Sequence, residues 1–169
     1  MRVDANNPLS YDGTSIFKDI SGSGNNATIV NGATKNANNI QLNGTNQYLN
    51  FGDKFDIGTG SLTYGLWCTM TDKLPVGGIM GKTVYGPLPG RNGILQDTSN
   101  SIIYIFEDSS TRVSWYNSLS IFNDTFVFLS VVIERTVMIL YVNGVEVKRM
   151  AIGLGATNYN NSALFLIGV

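Results

Sequence analysis

Asn143-Gly144 stands between two strand-like runs, and no other feature constrains the fold of this chain as much. Residues 137–142 are apolar and rich in β-branched side chains, and residues 145–149 alternate apolar with charged. Asn-Gly accepts positive φ at both central positions of a type I′ turn, whose twist matches that of two paired antiparallel strands. The spacing predicts a two-residue hairpin, and with it an antiparallel β architecture.

The rest of the chain repeats the theme. Residues 1–26 are turn-rich, with Pro8 and several glycines breaking any helix. A short strand over 27–30 runs into Asn31-Gly32. Runs at 40–42 and 47–51 flank Asn43-Gly44, and successive side chains Tyr48 and Leu49 fall on opposite faces. A strand over 61–71 puts Leu62, Tyr64, Leu66 and Cys68 on one face and Thr63, Gly65, Trp67 and Thr69 on the other. Strands are expected at 78–83 and 92–96, separated by a long loop with two prolines. A hairpin pairs 101–106 with 111–116. Residues 126–133 are apolar except for Ser130, the pattern of a strand covered on both faces. Residues 164–167 supply a last apolar run. No segment holds a 3.6-residue period with caps. Roughly a dozen short strands between tight turns predict an all-β, two-sheet antiparallel sandwich.

Composition agrees. The 169 residues suit one domain with a real core. Only 14% are charged, whereas Asn and Gly each number 19, and both tolerate left-handed backbone in turns. The 11 Lys and Arg residues are scattered singly and the net charge is −1, which argues against nucleic-acid binding. No apolar run approaches the ~20 residues of a membrane span. Met1-Arg2-Val3-Asp4 lacks the apolar core of a signal peptide. Four N-x-S/T sequons, at Asn26, Asn43, Asn123 and Asn160, follow from Asn abundance. Cys68 has no partner for a disulfide and reads as a buried thiol. Histidine is absent, which removes the commonest general base and metal ligand.

Read in order, the motifs carry a resemblance. Asp4-Ala5-Asn6-Asn7-Pro8 and Ser10-Tyr11 lead to Asp19-Ile20-Ser21-Gly22 and then Thr28 to Gly32. Leu42 to Leu49, Ser61 to Trp67, 126–133 and Leu140 to Gly144 follow in the same order. This succession resembles LamG-like, concanavalin A-like lectin/glucanase domains of the kind found in tailed-phage structural proteins. The resemblance implies a jelly-roll sandwich spanning 1–169. Relatives carry an aromatic-rich strand before the Asp-Ala and continue past Leu166-Ile167-Gly168, so this chain is expected to be clipped at one or both ends. Sandwich glycanases of this fold use an E-x-D-x-x-E strand. Here the three glutamates, Glu107, Glu134 and Glu146, have no acidic residue two positions on, so no carboxylate pair is laid out for hydrolysis.

The expected function is therefore non-enzymatic: a phage virion domain in a tail, fibre or capsid-decoration role. It would bind cell-surface glycans, other virion subunits or copies of itself. The alternatives are a carbohydrate-binding module of a secreted or surface bacterial protein, which would place the chain extracellularly, and a glycoside hydrolase, disfavoured by the missing carboxylates. Sugar recognition wants an exposed aromatic beside planar polar groups. Tyr85 with Arg91 and Asn92, and Trp115-Tyr116-Asn117, meet that description. Trp67 and Phe128 are expected in the core. Asp19, Asp53 and Asp56 are the candidates for a structural Ca²⁺, with Asp19 first; ordering of the Ser21-Gly22 turn by Asp19 through Asx-type hydrogen bonds is the favoured reading.

Ends clipped in this way would leave sheet edges in want of a partner. The 169-residue chain is expected to self-associate or to melt at low temperature. Sedimentation velocity with thermal melts checks this, and a highly stable monomer would contradict it.

Overall fold

The computed structural model of the chain describes residues 1–11, 13, 15–70, 77–82, 91–96, 102–107, 112–117, 125–152 and 161–168; at 91, 96, 102–107 and 112–117 it describes the backbone alone. The described residues contain strands and no helix. The strands are β1 (Ile16–Phe17), β2 (Ala27–Val30), β3 (Thr34–Lys35), β4 (Ile40–Gln41), β5 (Tyr48–Asn50), β6 (Leu62–Cys68) and β7 (Gly77–Lys82). They continue with β8 (Arg91–Gln96), β9 (Ile102–Glu107), β10 (Arg112–Asn117), β11 (Val127–Ile133), β12 (Val137–Val142), β13 (Val145–Ala151) and β14 (Phe165–Ile167).

Two antiparallel sheets make the sandwich. One has eight strands in the order β1-β2-β5-β14-β7-β8-β9-β10, and the other has four in the order β13-β12-β11-β6. A separate ribbon pairs β3 with β4. The C-terminal strand β14 lies between β5 and β7, so the last described residues complete the middle of the large sheet.

The predicted hairpin is present. Asn143 and Gly144 have φ of 51° and 80°, and Val142 pairs with Val145 across the turn. Asn143 does more than turn the chain. Its N–H donates to the Phe128 carbonyl at 2.8 Å, and its Oδ1 accepts the Phe128 N–H at 2.8 Å. One turn residue thus satisfies both backbone groups of Phe128 at the start of β11.

From there the period of two sorts the side chains. Leu129, Val131 and Ile133 are fully buried in the interior, whereas Phe128, Ser130 and Val132 on the opposite face are only half-buried. The run at 126–133 is therefore covered on one face, not on both. Its apolar outer residues lie between β6 and β12 on the sheet's surface. Across the interior the large sheet contributes Phe17, Ala27, Ile29, Leu49, Met80, Ile94 and Phe165. The sheets meet in an aromatic cluster: Phe165 packs edge-on against Phe51 (5.8 Å), Phe55 (4.9 Å) and, from the other sheet, Tyr64 (5.9 Å).

Asparagine is used as the composition implied. Asn43 Oδ1 accepts the N–H groups of Thr45, Asn46 and Gln47. Gln47 Nε2 donates to the carbonyls of Asn31 and Gly32, and Asn31 Nδ2 donates to the Asn46 carbonyl. Carboxamides lace neighbouring turns together where a more charged protein would use ion pairs.

Gly81 answers a different need. It pairs with Gly93, and a Cβ there would overlap the Asn92 carbonyl oxygen and the Gly93 Cα. Gly144→Val is expected to destabilise the fold by roughly 1–2 kcal/mol, the cost of holding an L side chain in left-handed backbone. Chemical denaturation checks it; unchanged stability would show that the hairpin does not depend on this turn.

Candidate ligand-binding face

Strand β6 places the most exposed aromatic among the described side chains. Its inward residues Leu62, Tyr64, Leu66 and Cys68 are partly buried against the core. Trp67 points outward and is 64% exposed. This corrects the expectation that Trp67 belongs to the core; Phe128, expected there too, is half-buried on the same outer face. The physical reason lies in the strand itself. Leu, Tyr, Leu and Cys fill the inner positions, so Trp67 falls with Thr63 and Gly65.

The outer face around Trp67 is built by register. Phe128 pairs with Trp67, and their rings lie 5.3 Å apart at 41°. Phe128 also leans over Gly65, where a Cβ would come within 2.9 Å of its Cζ. The absent side chain at Gly65 makes room for the ring that braces Trp67. Ser130 pairs with Gly65 on one side and Tyr141 on the other. Tyr141 in turn pairs with Glu146. Arg149 donates to Glu146 through Nε (3.0 Å) and a terminal nitrogen (2.7 Å). That bidentate bond holds the Glu146 carboxyl below its ordinary range and raises Arg149. Phe126 and Val145 add exposed apolar surface near the Asn143-Gly144 end. The face thus offers a braced indole, flanking hydroxyls and a planar charge pair.

The sugar-binding candidates singled out from the sequence lie on β8 and β10 or outside the described residues. Tyr85 lies outside the described residues. Arg91 opens β8, opposite Glu107, with its backbone alone described. Trp115, Tyr116 and Asn117 lie in β10 at the edge of the large sheet, opposite Tyr104, Ile103 and Ile102, again as backbone. Asn92 is 1% exposed and sits opposite Lys82, so a surface ligand does not reach it.

Asp19 orders its turn. Its Oδ1 accepts the N–H of Arg2, the N–H of Ser21 and the Ser21 hydroxyl, and its Oδ2 accepts the Asn25 N–H. Desolvation works against ionisation, but these hydrogen bonds outweigh it and hold the carboxyl well below the usual range. Asp53 and Asp56 are engaged by an internal cation: Lys82 Nζ lies 2.7 Å from Asp53 Oδ1 and 2.6 Å from Asp56 Oδ1. Among the described residues no group of three or more His, Cys, Asp or Glu is placed to hold a metal. Burial pushes the Cys68 thiol up to about 12, so it stays protonated and unreactive at neutral pH.

The two antiparallel sheets form a sandwich, with Trp67 on the open face of the smaller one. Residues 43–169 match the family model described as the Concanavalin A-like lectin/glucanases superfamily, and the chain belongs to that superfamily. No curated protein sequence matches it significantly. Among solved structures it is similar to the binding domain of botulinum neurotoxin DC in complex with SialylT, with a TM-score of 0.68 and 12% identity over 94% of this chain and 42% of that one. The same toxin domain in complex with rat synaptotagmin II gives 0.63 and 14%, over 94% and 41%. Domains LG4-5 of the mouse laminin alpha1 chain give 0.55 and 13%, over 69% and 30%. The chain spans less than half the length of each of these. At such identities the likeness is one of fold.

Because Asp19 is depressed in the folded state, its contribution to stability is fully present above the ordinary carboxylate range. It is lost as the pH falls below that range towards the folded value. Acid titration of the melting temperature is expected to show a smaller loss on acidification for Asp19→Asn than for the wild type. Parallel curves would show that another group governs acid stability.

Proposed function

We propose that this chain is a non-catalytic recognition domain that binds glycans on the outer face of its four-stranded sheet, carried on a phage particle. The observation that supports the glycan reading is Trp67, 64% exposed and braced from the side by Phe128. An exposed indole costs solvation, and a pyranose C–H face covers it well. Ser130, Thr63 and the Arg149–Glu146 pair lie on the same face to meet sugar hydroxyls. The superfamily takes in both lectins and glucanases. The spacing of the three glutamates favours binding over hydrolysis. The particle context is supported by the order of motifs from Asp4 to Gly32, which resembles the opening of tailed-phage LamG-like domains.

Glycan-array binding of the wild type and Trp67→Ala tests the reading. The variant is expected to lose about tenfold or more in affinity. Its stability should change by less than about 1 kcal/mol, because the side chain is outside the core. Binding that survives the substitution would move the site elsewhere. A broad polysaccharide panel incubated with the protein is expected to remain uncut, and turnover abolished by an Asp or Glu substitution would overturn the non-catalytic reading.

A further inference from the structure

Lys82 is 1% exposed, and on β7 it lies opposite Phe165 of β14, a member of the aromatic cluster with Phe51 and Phe55. Nζ touches three oxygens: Asp56 Oδ1 at 2.6 Å, Asp53 Oδ1 at 2.7 Å and the Asn161 carbonyl at 3.0 Å. The Asn161 N–H donates to Asp56 Oδ1 at 3.3 Å. A buried amine, a carboxyl in contact with it, a backbone donor on that carboxyl's oxygen and a second carboxylate in reach are the parts that acyl transfer to an amine requires.

We propose that Lys82 and Asp56 condense to an intramolecular amide, with Asp53 relaying the protons. Asp53 takes one proton from the Lys82 ammonium and passes it to Asp56 Oδ2, and the freed amine attacks Cγ of the acid so formed. The charge that develops on Oδ1 is met by the Asn161 N–H. Asp53 then takes a second proton from the nitrogen and delivers it to the same oxygen. The Cγ–Oδ2 bond breaks and water leaves. Ammonium and carboxylate become a neutral amide and one water, and Asp53 ends as the carboxylate it began as; nothing is oxidised or reduced.

The choice of Asp56 over Asp53 follows from geometry. Asp56 is in the shorter contact, its side chain is less exposed (32% against 49%), and it alone receives the Asn161 N–H. Two effects favour the product. Joining the pair removes the desolvation cost of two charges held close to the core. Burial of Lys82 keeps water from the nitrogen side of the amide. The link would tie the loop after β5 covalently to β7, across the strand β14 that separates them.

Intact-mass analysis of the denatured wild-type chain decides the matter. The expected mass is one water below that of the sequence, with a branched peptide joining Lys82 to Asp56 after proteolysis. Lys82→Arg and Asp56→Ala should restore the full mass. Asp53→Asn should leave both partners present and the link absent or slow to form. The proposal is overturned if the wild type keeps its full mass after prolonged incubation, or if the missing water maps to a cyclic imide without Lys82. A branch joining Lys82 to Asp53 would overturn the assignment of roles.

Discussion

Much of this fold hangs on the paired hydrogen bonds between Asn143 and Phe128. The type I′ turn sets the register of β12 against β13. The side chain and N–H of its first central residue then fix where β11 begins. Because side chains alternate, a shift of one residue there would turn every position over. With Phe128 held by Asn143, Leu129, Val131 and Ile133 must face inward and Phe128 outward. Phe128 is then presented beside Trp67 on β6. The hairpin that makes the fold legible also sets the brace beside the candidate binding residue.

The strands were readable because their signals are local. Asn-Gly turns and period-two alternation need only neighbours in sequence, and the spans at 27–30, 62–68, 127–133 and 137–142 follow from them. The face of Trp67 is a subtler case. Its companions Thr63 and Gly65 identified the outer face, but tryptophan's general preference for burial pointed the other way. Alternation phased against the polar residues carries the better information, since a strand has only two faces and four apolar residues had already filled one. Asn92 shows the converse. A polar residue beside an arginine looks like a surface group, yet it lies inside, opposite Lys82.

Lys82 itself could not be found by reading along the chain. Its partners Asp53 and Asp56 lie 29 and 26 residues away, and Asn161 lies 79 away. They converge only because β14 inserts between β5 and β7. An ammonium buried to this degree is tolerable only with such compensation, as removing either charge sign would leave the other desolvated. The two aspartates that resembled metal donors in the sequence are thus bound to a cation tethered to the chain.

The two polar features sit on different sheets and serve different ends. Lys82 points into the interior from the large sheet, where it ties loops to strands. Trp67 stands on the outside of the small sheet, with the Arg149–Glu146 pair on the same face neutralising its own charge. The pair adds no net charge to the face, so on the proposed reading a ligand there is held by shape and apolar contact, with little dependence on ionic strength. The low charge of the chain as a whole has the same consequence. Turns are held by asparagine and glutamine, whose hydrogen bonds salt does not screen. Such turns keep their hydrogen bonds when the salt around them changes, and the Asp19 turn loses its carboxylate acceptor only well into the acid range.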